Sequence, residues 1–146
     1  MHKSISVWLK LKDGESKGKV ALQKRSASNK SFQNIYQATW AGKVEPDEAV
    51  EEAIKRECKE ELGEGFFDDF DFSSLKFFSE DSYKMKEENW TCYNYIGEVS
   101  EDILAKAKLH KESFPEFFII GKNDLAKDIV LFEDQRKILS KILYGN

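Results

Sequence analysis

Apolar and polar residues alternate in short runs along most of the chain, and a helical period of apolar positions takes over once it passes Pro46. Ile5-Ser6-Val7-Trp8-Leu9-Lys10-Leu11 alternates in part and predicts a strand over 5–11. Asp13-Gly14-Glu15-Ser16 predicts a turn, and residues 20–25 a second strand. A polar loop follows over 26–34, and a short strand over 35–40 runs out at Ala41-Gly42. Val50, Ile54, Cys58 and Leu62 then recur every four residues with Ala49 and Ala53 beside them, which gives a helix with one apolar face. Pro46 suits the pre-helix or first-turn position, Asp47 and Glu48 suit the positive end of the helix dipole, and Gly63 and Gly65 supply a stop.

Beyond the helix, residues 66–72 read as an aromatic and acidic connection. Strands are predicted over 75–85 and 90–99 with a charged turn between them, and 100–111 fits a helix or a long loop. Residues 117–120 predict a short buried strand, and 132–144 a closing amphipathic helix with Ile138, Leu139, Ile142 and Leu143 inward. Strands flanking one helix, with a second at the end, argue for an α/β sandwich folded as a single domain over 1–146. No repeat, low-complexity tract or linker interrupts it.

Composition narrows the function classes. With 40% hydrophobic and 34% charged residues in 146, the chain has the profile of a soluble globular protein. It contains no apolar run of the ~18 residues that a membrane span needs. Its first residues lack the apolar core of a secretory signal, so a cytoplasmic address is expected. The net charge of −4 draws no nucleic acid to the surface as a whole. Acidity is concentrated instead: residues 45–64 hold nine carboxylates against Lys55, Arg56 and Lys59. Cys58 and Cys92 show no metal-binding spacing and predict reduced thiols, and His2 and His110 are too few for a zinc cluster.

Glu57, Glu60 and Glu61 stand three and four apart and share a side of the predicted helix. Like-charge pairs at that spacing destabilise a helix by about 0.2–0.5 kcal/mol each. A divalent cation relieves the repulsion, and clustered oxygen ligands suit a hard ion. Mg²⁺ usually completes its shell with waters and substrate phosphates, which connects such a cluster to phosphate chemistry. Taken as a charge run alone, however, a glutamate-rich helix is more often a solvated face.

Spacing shifts the balance. Gly42, Glu48 and the run Arg56-Glu57-Cys58-Lys59-Glu60-Glu61-Leu62-Gly63 resemble the Nudix box, G-x5-E-x7-R-E-U-x-E-E-x-G-U, where U is bulky and apolar. Cys58 fills the first U position, and Glu64 departs from the last one, where Phe66 and Phe67 are candidates for the missing apolar contact. Leu22-Gln23-Lys24-Arg25-Ser26 is similar to the strand and basic turn that precede the box in that family.

The resemblance implies a Nudix-type α/β/α sandwich, a mixed sheet between helices with the box as loop–helix–loop. It also implies hydrolysis of a diphosphate linkage in a nucleoside-diphosphate derivative, by attack of water on phosphorus with Mg²⁺ or Mn²⁺ as cofactor. By position, Glu57, Glu60 and Glu61 inherit the metal set, with Glu57 as ligand or general base and Glu61 also catalytic. Arg56 is implied to orient the catalytic glutamate, and Gly42 and Glu48 to support the site. A further acidic ligand from a later loop is expected at Glu112, with Glu116 as second choice. Arg25 and Lys30 are candidates to touch phosphates, and Tyr36 or Phe32 to stack on a ring. The expected partner is a small molecule, with a capped end as the one RNA open to it, no membrane, and the homodimer common in the family. Two alternatives are an isomerase of isopentenyl-diphosphate type, for which neither cysteine sits in a fitting motif, and a non-catalytic nucleotide-binding module, which typically loses box glutamates. Which diphosphate is the substrate stays open.

Overall fold

A strand that buries both faces must be apolar on both, and the first strand comes close to that. Ile5, Val7, Leu9 and Leu11 point to one face and Trp8 to the other, all buried. The computed structural model describes residues 2–26, 34–109, 113–126 and 129–145. In chain order its elements are β1 (His2–Leu11), β2 (Val20–Lys24), β3 (Tyr36–Gln37), β4 (Trp40–Lys43), α1 (Val50–Leu62), α2 (Glu64–Asp69), β5 (Lys76–Met85), β6 (Glu88–Val99), α3 (Glu101–Leu104), β7 (Phe118–Ile120) and α4 (Glu133–Tyr144).

The sheet is mixed. β1 runs parallel to β6 from His2↔Trp90 to Leu11↔Val99, and β5 pairs antiparallel with β6 beyond it. The opposite edge of β1 is divided: β2 takes Leu9 and Lys10, and β4 takes Ser4 to Val7. β3 and β7 both pair with β2.

Helices cover the two faces. Ala53, Ile54, Cys58 and Leu62 of α1 pack on Ile5, Val7, Leu9 and Trp40, and Phe66 and Phe70 of the α2 region extend that layer. Ile138, Leu139, Ile142 and Leu143 of α4 pack on Trp8, Val20 and Leu22 across the sheet. This is the expected mixed sheet between helices, and fully burying each large apolar side chain adds about 1.5–3 kcal/mol. Among the described residues no helix is long and apolar enough to cross a membrane.

Three expected elements differ. The strand expected over 35–40 is two strands, because the segment passes from β2 to β1 as its partner there. Thr39 fills the break: its hydroxyl donates to the Ala21 carbonyl (2.6 Å) and accepts from the Leu9 backbone N–H (2.9 Å). The aromatic connection over 66–72 is instead α2 followed by a 3₁₀ turn (Phe72–Ser74) capped by Asp71, whose carboxylate accepts from Ser73 N–H. Phe66 and Phe70, four apart, stack on each other and meet Trp40 edge-on, which fixes the helical reading. Of the segment 100–111, only Glu101–Leu104 is helical, capped by the Ser100 hydroxyl, which accepts from Ile103 N–H.

The anomalous Glu64 opens α2 with its side chain 75% exposed, 3.6 Å from Lys59 Nζ. The fully buried Phe66 supplies the apolar contact that Glu64 lacks. Phe66→Ala is therefore expected to cost about 3–5 kcal/mol in urea unfolding. Glu64→Leu, which restores the apolar residue of the pattern, should change stability by less than about 0.5 kcal/mol.

Candidate active site

The loop from β4 into α1 is held from both ends. Ala49 N–H donates to Glu52 Oε1 (2.9 Å), closing the first turn of α1, and Glu45 N–H donates to Glu48 Oε1 (3.0 Å). At the far end Gly63, at φ +86°, stops the helix. The Trp40 indole donates to the Ile54 carbonyl (2.9 Å), so β4 and α1 are joined by a buried hydrogen bond as well as by packing.

Arg56 is the hub of the polar face. Its guanidinium forks onto Glu48, Nε to Oε2 at 2.7 Å and Nη2 to Oε1 at 3.0 Å. Nη2 also donates to the Lys43 carbonyl (2.9 Å), while Nη1 donates to Glu57 Oε1 (2.7 Å) and Glu60 Oε2 (3.3 Å). Bidentate pairing of this kind fixes orientation as well as charge. It holds the Glu48 carboxyl down to about 2 and raises the guanidinium of Arg56 above its ordinary range.

Glu57 lies across β4 on the Cα of Gly42. A methyl group added there would stand 1.7 Å from Glu57 Oε2, so any side chain at this position would displace the carboxylate from its place. Glu57 then meets Glu61, which also accepts from Gln23 Nε2 (2.9 Å) and from the backbone of Ala41. Gln23 is itself fixed, donating to the Thr39 carbonyl (2.7 Å) and accepting from the Ser113 hydroxyl (2.7 Å). Burial, and then the hydrogen bond and charge of Glu57, push Glu61 well above the usual carboxylate range. Burial also raises Glu57, against the opposing pull of its bonds to Glu61 and Arg56. Without a cation, this contact favours a proton on one of the two carboxylates.

The structure thus brings Glu57 and Glu61 together and turns Glu60 outward, its side chain 59% exposed against 14% for Glu57. Among the described residues no group of three or more His, Cys, Asp or Glu is arranged to hold a metal ion. The donor set nevertheless fits a hard divalent ion, which is often held by one or two carboxylates and completed by phosphates and water. Two half-buried carboxylates in contact, braced from behind by Gln23, Ala41 and Arg56, are such a pair.

The remaining expected residues are scattered. Arg25 forms a bridge to Ser113 and donates its backbone N–H to the Ile35 carbonyl (3.0 Å). The Tyr36 ring meets Phe118 edge-on at 5.4 Å, with Lys24 Nζ 5.0 Å above it. Glu116 is exposed on the rim of a different cavity, beside Leu11, Glu101 and Phe117. Lys30, Phe32 and Glu112 lie outside the described residues. Both cysteines are buried, and burial, followed by the charge of Glu61, pushes the Cys58 thiol up to about 12. Sequence reasoning missed Gln23, Thr39 and Ser113. Gln23 left a trace, as a polar residue at the end of the apolar run Val20-Ala21-Leu22.

Comparison with known proteins gives a concordant result. Residues 2–141 match the NUDIX domain. No match was found among curated proteins. Similar solved structures include a MutT protein from Methanosarcina mazei Go1, at 19% identity and TM-score 0.71, covering 99% of this chain and 94% of that one. They also include an Ap4A hydrolase from C. elegans, at 17% identity and TM-score 0.68, with both chains covered completely. A NUDIX hydrolase from Alicyclobacillus acidocaldarius superposes with TM-score 0.72 at 11% identity, covering 99% and 91% of the two chains. At these identities the likeness is one of fold.

The shared proton has a consequence for stability. A carboxyl raised above its ordinary value of 4.5 keeps a proton that the unfolded chain has lost, so its contribution to stability falls as pH rises past that value. In the presence of a chelator, Glu61→Gln is expected to gain melting temperature relative to wild type between about pH 5 and about pH 8. A difference that does not change with pH would contradict the shared proton.

Proposed function

The chain belongs to the Nudix family, and on that premise we propose that it hydrolyses the diphosphate linkage of a nucleoside-diphosphate-linked compound by attack of water on phosphorus, with Mg²⁺ or Mn²⁺ as cofactor. The observation that carries this reading is the half-buried contact of Glu57 with Glu61. Two carboxylates forced together need a positive partner, and a diphosphate substrate brings further negative charge to the same place. When bound, the divalent ion supplies charge neutralisation at the diphosphate oxygens and a lowered pKa for water.

The side chains then divide the work. Glu57 and Glu61 would hold the ion, and the Glu57 carboxylate would accept the proton of the attacking water. Arg56 positions Glu57 through its 2.7 Å bond, and Glu48 holds Arg56 in place from the other side. Gln23 orients Glu61 by donating to Oε1. Glu60, 3.3 Å from Arg56, joins the set only when it exchanges that contact for the ion or its waters. Glu112, next in sequence to Ser113, is the candidate for an additional acidic ligand.

The names of the similar structures place a dinucleoside tetraphosphate among the compounds to assay, with nucleoside triphosphates, ADP-ribose, nucleotide sugars and capped RNA ends. On whichever is turned over, Glu57→Gln and Glu61→Gln are each expected to lower kcat/KM by about 10²–10⁴-fold, the usual scale for lost general-base catalysis. Glu48→Gln, acting only through Arg56, should lose less. Wild-type turnover by both Glu57→Gln and Glu61→Gln on a proven substrate would overturn the assignment.

A further inference from the structure

The strand β5 is an open edge of the sheet. Among the described residues it pairs with β6 alone, and no backbone hydrogen bond from another element reaches it. The hairpin turn tells which of its groups face outward. Lys86 and Glu87, at φ 51° and 66°, form a two-residue turn of the kind that closes on a hydrogen-bonded pair, here Met85↔Glu88. Bonded and non-bonded pairs alternate along an antiparallel ladder, so Met85, Tyr83 and Asp81 bond β6. The backbone N–H and C=O groups of Glu80, Ser82 and Lys84 therefore point away from the sheet.

Proteins commonly guard such an edge with proline, a bulge or charges that repel a second strand. β5 has no proline, and its one irregularity lies between Phe77 and Ser79, ahead of the outward groups. Its charges are complementary rather than repulsive. Glu80, Ser82 and Lys84 are all exposed, on one face of the sheet. Neither Glu80 nor Lys84 takes part in an ion pair among the described residues, and across the hairpin they meet the uncharged Tyr93 and Asn89. Four residues apart on a strand, they stand about 13 Å from each other and cannot pair within the chain.

An antiparallel copy of β5 centred on Ser82 satisfies both the backbone and the charges. Ser82 then lies opposite Ser82 of the second copy, Glu80 opposite its Lys84, and Lys84 opposite its Glu80. These are the three positions whose backbone groups point outward. Registers centred on Glu80 or on Lys84 set like charges face to face. The residues between them hold the edge still: Asp81 accepts from Asn94 Nδ2 (2.9 Å), and the Tyr83 hydroxyl is 3.2 Å from that of Ser4. A strand fixed in this way loses little freedom on pairing.

We propose that the protein forms a two-fold dimer in which β5 pairs with β5 of a second copy about a dyad at Ser82, so that one mixed sheet runs through both chains. Glu57 and Glu61 take no part in it, so the dimer and the hydrolase reading stand or fall separately.

Sedimentation equilibrium at about 100 µM and low ionic strength tests the pairing. The wild type is expected at twice the chain mass of 16.9 kDa. Glu80→Lys, which sets a lysine against Lys84 twice about the dyad, is expected to raise the dimer dissociation constant at least about ten-fold. Adding Lys84→Glu restores opposite charges in the same register, and is expected to return the constant to within about three-fold of wild type. Ser82→Pro removes the N–H at the dyad but none of the bonds to β6, so it is expected to give a monomer that circular dichroism reports as folded. A monomeric wild type would overturn the inference. So would a dimer that either Glu80→Lys or Ser82→Pro leaves unchanged, or one that the double charge reversal fails to restore.

Discussion

Glu57 and Glu61 are pressed together in a half-dry site, and much of the surrounding structure is what makes that contact tolerable. Two carboxylates at hydrogen-bond distance cannot both be ionised cheaply away from water. The protein does not relieve them with a lysine. Arg56 is held by Glu48 and the Lys43 carbonyl and, of the two, reaches only Glu57. Glu61 is steadied by neutral donors, Gln23 and the Ala41 backbone, which orient it without cancelling its charge. The site is left short of positive charge, which is the condition for binding a cation and then a phosphate.

The scaffold follows from the same constraint. Gly42 is needed because Glu57 lies across it, and β4 must end where α1 begins so that one short loop carries both. The division of β1's edge between β2 and β4 is what places Gln23 and Ala41 side by side under Glu61. Thr39 seals that junction by replacing two ladder contacts with its hydroxyl. A fold that carried β2 along the whole of β1 would leave no place for Glu61.

How much of this was legible in the sequence depended on whether the cause was local. The four-residue recurrence of Val50, Ile54, Cys58 and Leu62 gave α1 because the helix buries that one face. Residues 66–72 were misread because Phe-Phe-Asp-Asp-Phe-Asp-Phe fits more than one period, and only contact with Trp40 selects the helix. Thr39 and Gln23 owe their roles to partners far along the chain, so no short window announces them. Glu57, Glu60 and Glu61 do occupy one side of α1, as spacing alone required. Their divergence, Glu61 toward Gln23 and Glu60 toward Arg56, is decided by neighbours that helix geometry does not specify.

A proton held between Glu57 and Glu61 would stand where a divalent ion belongs. Titration calorimetry of Mn²⁺ into the chelator-free protein, repeated near neutral pH in buffers of different ionisation enthalpy, counts the protons displaced. Release of on the order of one proton for each ion bound is expected, and its loss in Glu61→Gln. Binding with no proton release, or with a release that Glu61→Gln leaves unchanged, would contradict it.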